Sequence, residues 1–162
     1  MEYAPFLLWL HVIGAAVLLG TGAGIAFFMA MAHRTRDAVL IRHTAGIVVA
    51  ADYWFTAPAI VVQPLSGILL AAEHGWKLTE GWLALSLLLY AVAGACWLPV
   101  VWMQHRMRDL AGVAADGDNV LPAAYYRLFR RWIACGFPAF FSVLAIVWLM
   151  LAKPEIGAGL GG

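Results

Sequence analysis

Four long apolar runs divide the chain, at residues 3–32, 44–72, 81–104 and 132–152. Three of them contain no Asp, Glu, Lys or Arg, and the second contains only Asp52. About 20 apolar residues carry a helix across a bilayer core, so each run is long enough to span one. Backbone polar groups in lipid must pair within their own segment, and no period-two alternation is present, so the runs are predicted as helices rather than strands. Residues 39–43, 106–110 and 125–131 continue those helices beyond the apolar core. The clearest loop is 112–120, with Asp116-Gly117-Asp118-Asn119, and Pro122 suits the first turn of the last helix. Short first and second connections make successive helices antiparallel neighbours. The expected fold is all-α, an up-down four-helix transmembrane bundle forming one domain over 1–156. A Gly-rich tail at 157–162 is expected to be disordered.

Composition agrees with this pattern. The 162 residues are 64% hydrophobic and 12% charged, against roughly 25% charged in soluble domains. A soluble fold of this size would lack the charge to cover its surface. A net charge of +1 gives no basis for nucleic-acid binding. Placement of charge is more informative than its sum. The first connection holds His33, Arg34, Arg36, Asp37, Arg42 and His43, and the third is rich in arginine, whereas the second holds only Glu73, His74, Lys77 and Glu80. Excess Lys and Arg marks cytoplasmic loops. Both termini are therefore expected on the outer, periplasmic side of a bacterial inner (plasma) membrane, in contact with lipid. Ala30-Met31-Ala32 is like a signal-peptidase site, but its preceding run is too long and starts with Glu2 rather than a basic residue, so a retained helix is expected.

Candidate chemistry begins with His11, the one titratable side chain inside the first run apart from Tyr3 at its edge. An imidazole at membrane depth needs a partner, a cavity or a cofactor. His11, Gly14, Leu18 and Gly22 share a helical stripe, whose small residues suit either close helix packing or a flat macrocycle. At about 1.5 Å rise per residue, His11 falls level with Gln63, Ser66, Ser86, Tyr90 and Ser142. Such a layer is either interhelical glue or a cofactor site with His11 as its ligating member. Gln63-Pro64-Leu65-Ser66-Gly67 places an amide and a hydroxyl near the carbonyl that Pro64 frees. Asp52 lies deeper and is expected to face inward, held by Trp97, Thr21 or an arginine, as a structural hydrogen bond or a proton relay. Asp52 and Tyr90 are the candidate catalytic groups.

Arg106 and Arg131 belong to a basic cluster with His33, His43, His105, Arg108 and Arg130. It is read as positive-inside charge or as a site for an anionic group such as a haem propionate, and His43 with His105 as possible ligands of a second haem. Trp9, Trp76, Trp82, Trp102, Trp132 and Trp148 are expected in interfacial belts. Cys96 and Cys135 sit in apolar runs as thiols, with no CxxC or CxxCH. GxSxG, Walker A, GxGxxG and HExxH motifs are absent.

Leu10-His11, Gly20-Thr21-Gly22, Asp52-Tyr53-Trp54-Phe55-Thr56-Ala57-Pro58, Gln63-Pro64-Leu65-Ser66-Gly67 and Trp97-Leu98-Pro99-Val100-Val101-Trp102 together resemble a bacterial family of predicted integral membrane proteins, domain of unknown function 2269. The resemblance covers nearly the whole chain and implies a small four-helix membrane protein without assigning a reaction. More remotely, the layout is similar to the membrane-bound protoporphyrinogen oxidase of the haem pathway, which has a histidine early in its first helix and is associated with haem b. That family follows its histidine with a Trp-containing segment and a Leu-Pro-Arg run, whereas residues 20–33 here contain neither Pro nor Trp. Similarity to copper-resistance membrane proteins is architectural only.

Three functional expectations follow. The first is a haem b protein with a redox role, electron transfer or porphyrinogen- or quinol-type oxidation, in which His11 ligates iron, either Met150 is a second ligand or the site is five-coordinate, and a quinone or porphyrin is the partner. The second is a non-catalytic subunit or assembly factor, in a homo-oligomer or a larger membrane complex. The third, a small transporter using Asp52 and Gln63, requires an oligomer and lacks the inverted repeats usual for transporters.

Overall fold

The structure is a computed structural model and describes residues 3–156; the tail expected at 157–162 lies outside them. Four helices are long and apolar enough to cross a membrane. They are α1 (Ala4–Thr35), α2 (Ala38–Glu73), α3 (Gly81–Ala115) and α4 (Ala123–Ala152). No strand occurs among the described residues. Each helix extends past its apolar run at the arginine-rich end, as the flanking residues predict. Large apolar side chains cover the outside, with Trp54 78% and Leu151 81% exposed, a surface suited to lipid rather than water. The basic end carries the first and third connections; the terminal end carries the second connection together with Tyr3 and Ile156.

Local chemistry fixes the basic end. Arg36 adopts a left-handed φ of 58° and closes α1. Asp37 then caps α2, its Oδ1 accepting from Val39 N at 2.8 Å and Leu40 N at 3.3 Å. Asn119, itself left-handed at φ 62°, accepts from Ala38 N at 2.8 Å and ties the third loop to the same helix start. Asp37→Ala removes the cap and is expected to cost about 1 kcal/mol, read as a lower unfolding midpoint in detergent without loss of helix content. Pro122 immediately precedes α4, one position before the place its sequence suggests.

The described bundle has two packed ends with a hollow stretch between them. At the basic end Met29, Ile41, Ala45, Met107, Ala111 and Tyr125 are fully buried in one core. His33 stacks on Phe129 at 3.6 Å and meets the Tyr125 hydroxyl at 3.3 Å. At the terminal end Ala71, Trp82, Leu83 and Leu149 form a smaller core, and Lys153 Nζ sits 4.1 Å above the Trp76 ring. Trp82 and Trp132, placed in interfacial belts by sequence, are 7% and 4% exposed. Both fill the interior because their helices turn these faces to neighbouring helices rather than to the interface.

One local irregularity opens the middle. Residues Asp52–Thr56 of α2 form a π-turn, closed by Ala57 N–H donating to Asp52 O. Pro58 follows two residues after Thr56; it has no N–H for the Trp54 carbonyl, and its ring would crowd that carbonyl in a regular helix. Widening to i→i−5 pairing relieves the conflict and rotates the remainder of the helix. The basic-end half of α2 packs on both α3 and α1, whereas the half beyond the π-turn runs chiefly with α1. Helices α3 and α4 stay together along their length. The α1–α2 and α3–α4 pairs consequently part beyond the π-turn, and only the small core around Ala71, Trp82, Leu83 and Leu149 joins them again at the terminal end.

Candidate functional site

Two cavities occupy the gap. The one toward the terminal end has a volume of about 380 Å³ and is lined by His11, Ala15, Gln63, Gly67, Ser86 and Met150 among others. The deeper one, about 250 Å³, is lined by residues of all four helices, including Gly22, Asp52, Thr56, Trp97, Gln104 and Trp132. Leu18, Leu19, Tyr90 and Val143 line both, so the cavities meet there. Tyr90 spans the gap: its hydroxyl donates to Ile60 O. That carbonyl lies four residues before Pro64, which has no N–H to give it, so Tyr90 satisfies the group the proline orphans.

His11 is held at one ring nitrogen. Its Nδ1 lies 2.8 Å from Ser66 Oγ, and Ser66 Oγ lies 2.8 Å from Val62 O and 3.2 Å from Gln63 O. The Gln63 amide is assigned from its neighbours with nitrogen toward His11. In that orientation it donates to His11 O at 2.9 Å and to His11 Nδ1 at 3.0 Å, and accepts from Ala15 N at 2.9 Å. A side chain of α2 thereby reaches the i, i+4 backbone pair of α1 next to the histidine. Gly14 makes this possible, because a Cβ there would sit 3.0 Å from the terminal atom of the Gln63 side chain. A Cβ on Gly67 would sit 3.1 Å from His11 Cε1, so this glycine gives the imidazole its room.

The level layer expected from sequence is brought together in part. His11, Gln63 and Ser66 form one bonded group, while Ser86 and Tyr90 face the same cavity with their hydroxyls donating to Trp82 O and Ile60 O. Ser142 is buried but lines neither cavity. Gly14 accommodates Gln63 rather than a macrocycle, and Gly22 lies in the deeper cavity, its virtual Cβ 3.9 Å from Phe140 Cδ2. Met150 shares the cavity of His11. Arg106 and Arg131 are exposed on the basic-end halves of α3 and α4 and line neither cavity. They cannot act on a group beside His11, because His11 lies near the opposite end of α1.

Asp52 faces inward as expected and is 4% exposed. Trp97 Nε1–H donates to its Oδ1 at 3.4 Å, a long bond. Gln104 and Trp132, 1% and 4% exposed, line the same cavity, a placement their sequence context does not predict. A signal for Gln104 was present nonetheless: it is the last uncharged polar residue of its run, two turns beyond Trp97 on one helix face. Cys96 and Cys135 are free, half-buried thiols. Among the described residues, no three His, Cys, Asp or Glu side chains gather into a metal-holding group.

The family model of a predicted integral membrane protein (DUF2269) matches residues 5–154. No curated protein and no solved structure matches the chain.

Proposed function

The chain belongs to the family of predicted integral membrane proteins designated domain of unknown function 2269, and on that premise we propose that it binds haem b beside His11 and has a redox role. One observation carries the reading: the imidazole is fixed through Nδ1 while its ring lines an apolar cavity. A ligating histidine needs one nitrogen tied to a partner and the other free with its lone pair. Ser66 meets the first need. In the Nδ1–H tautomer that ligation requires, the Ser66 hydroxyl gives its hydrogen to Val62 O and accepts Nδ1–H, and the Gln63 amide, which in the other tautomer also donates to Nδ1, bonds His11 O alone. Nε2 then carries the lone pair.

The rest of the lining suits the flat apolar face of the macrocycle. Leu18, Leu19, Val143, Ile146 and Val147 supply apolar walls, and Ala15 and Gly67 keep the space beside the ring open. Met150 is the soft side chain in the same cavity that would serve as a second ligand. Bound haem would supply one-electron chemistry, its potential set by axial ligands and burial. Leu83 and Trp82 of the terminal-end core restrict water at the cavity's end. The arginine-rich connections favour a bacterial inner membrane, with the basic end toward the cytoplasm.

The test is an absorption spectrum of protein purified from haem-replete cells, oxidised and dithionite-reduced. A Soret band that shifts on reduction, with a resolved α band, is expected. Colourless protein would overturn the proposal and leave a membrane subunit without cofactor.

A further inference from the structure

The deeper cavity has a chemistry of its own. Asp52, Thr56, Gln104 and Trp132 are between 1% and 7% exposed, and all four line it. The Thr56, Trp97 and Gln104 side chains surround the Asp52 carboxyl within loose hydrogen-bonding reach. Yet Asp52 Oδ2, Thr56 Oγ1, both side-chain polar atoms of Gln104 and Trp132 Nε1 are buried without a well-formed hydrogen bond. Buried polar atoms in proteins are nearly always paired, and a cluster of such atoms at one cavity wall needs a reason. The π-turn that Pro58 favours gathers two of these groups. It carries Asp52 at its start and Thr56 at its end, and both side chains are buried; π-turns occur frequently at functional sites.

The atoms on offer narrow the ligand. Gln104 Nε2 and Trp132 Nε1 donate, Asp52 Oδ2 and Gln104 Oε1 accept, and Thr56 does either. A cation would leave the two N–H groups facing it without an acceptor. A carboxylate would face Asp52. A neutral molecule with its own oxygens satisfies both sets. The surrounding wall is apolar, with the small residues Gly22, Ala23, Ala93 and Gly94 and the rings of Phe137 and Phe140. The volume of about 250 Å³ is several times the ~30 Å³ share of one liquid water.

We infer that this cavity, where Asp52, Thr56, Gln104 and Trp132 converge at the π-turn, binds the ring of a lipid-soluble quinone or quinol. A quinone carbonyl accepts from Gln104 or Trp132; a quinol hydroxyl donates to Asp52. The site is separate from His11, and its binding does not depend on haem.

Trp97 and Trp132, two of the chain's eight tryptophans, line the cavity, so a saturable component of tryptophan quenching reports occupancy. The full-length protein in lipid nanodiscs is titrated with menadione and, separately, with 2-methylnaphthalene, which has a similar ring and no oxygens. Saturable quenching by menadione and only linear partitioning by 2-methylnaphthalene are expected. Gln104→Leu and Thr56→Val are each expected to weaken menadione binding about tenfold or more. The contrast between the two probes on the wild-type protein is decisive even where a variant folds poorly. Equal behaviour of the two probes, or unchanged affinity in folded variants, overturns the inference. Repeating the titration in His11→Ala protein separates it from the haem proposal: quinone binding persists there if the two sites are independent.

Discussion

His11→Ala is expected to abolish the Soret band of the purified protein and to leave its fold intact. The imidazole contributes little to the bundle besides a ligand. Without the ring, Ser66 Oγ still has Val62 O and Gln63 O within reach. Gln63 still has the backbone of residue 11 and Ala15 N, neither of which needs a side chain. No buried group is stranded, so between haem-free proteins the stability change should stay within about 1 kcal/mol, the net worth of a single hydrogen bond. The enlarged cavity adds little, since the ring already borders open space. A structural histidine and a ligating one thus give different results. Loss of colour, with an unfolding midpoint equal to that of haem-free wild type, supports ligation. Retained colour would move the iron elsewhere, with His33, His43 and His105 at the basic end as the remaining candidates beyond His74. Ser66→Ala removes the partner that orients Nδ1, and haem affinity should fall about 10–100-fold, as for other partners that orient a ligating histidine.

Ile41→Ala should lower stability by about 2 kcal/mol or more, whereas Val143→Ala should cost less than about 1 kcal/mol. Both remove apolar atoms from inside the same bundle. Ile41 is fully buried in the basic-end core, where truncation leaves a void among close-packed neighbours. Val143 borders both cavities, so part of its surface already lacks partners. Lipid tails are as apolar as either side chain, so the water-transfer part of the usual cost is small and lost packing dominates. Those conditions put Ile41 at the low end of the range for large-to-small core changes. Unfolding of each variant in detergent or bicelles, against wild type, measures the contrast. Equal losses at the two positions would contradict a bundle packed at its ends and hollow in its middle.

The bonded group at His11 is partly legible in the sequence. Counting rise per residue from the helix ends places His11, Gln63 and Ser66 at one depth, because spanning helices share a common axis direction. Counting cannot show that Gln63 enters the backbone ladder of α1, or that Gly14 exists to admit it. Those depend on the azimuth of two helices, which depth leaves free. Asp52 is legible as inward-facing because a carboxyl in lipid has no other tolerable direction. Its neighbours Gln104 and Trp132 are not, since a tryptophan near a helix end reads equally well as belt or core. Arg106 and Arg131 illustrate the converse: their charge marks an end of the bundle and says nothing about reach to a site near the other.

The number, length and helical nature of the spans were determined by the sequence alone. Whether a run of about 20 residues partitions into a bilayer as a helix depends on its own composition and its own backbone pairing, both local. Which face of each helix turns inward was decided only by the tertiary structure. These helices are apolar nearly all round, and in lipid an apolar residue is equally content against a neighbour or a fatty chain, so no amphipathic stripe reports the buried side. The π-turn at Asp52–Thr56, the parting of the helix pairs and the two cavities between them arise from how shapes fit. That fit depends on all four helices at once.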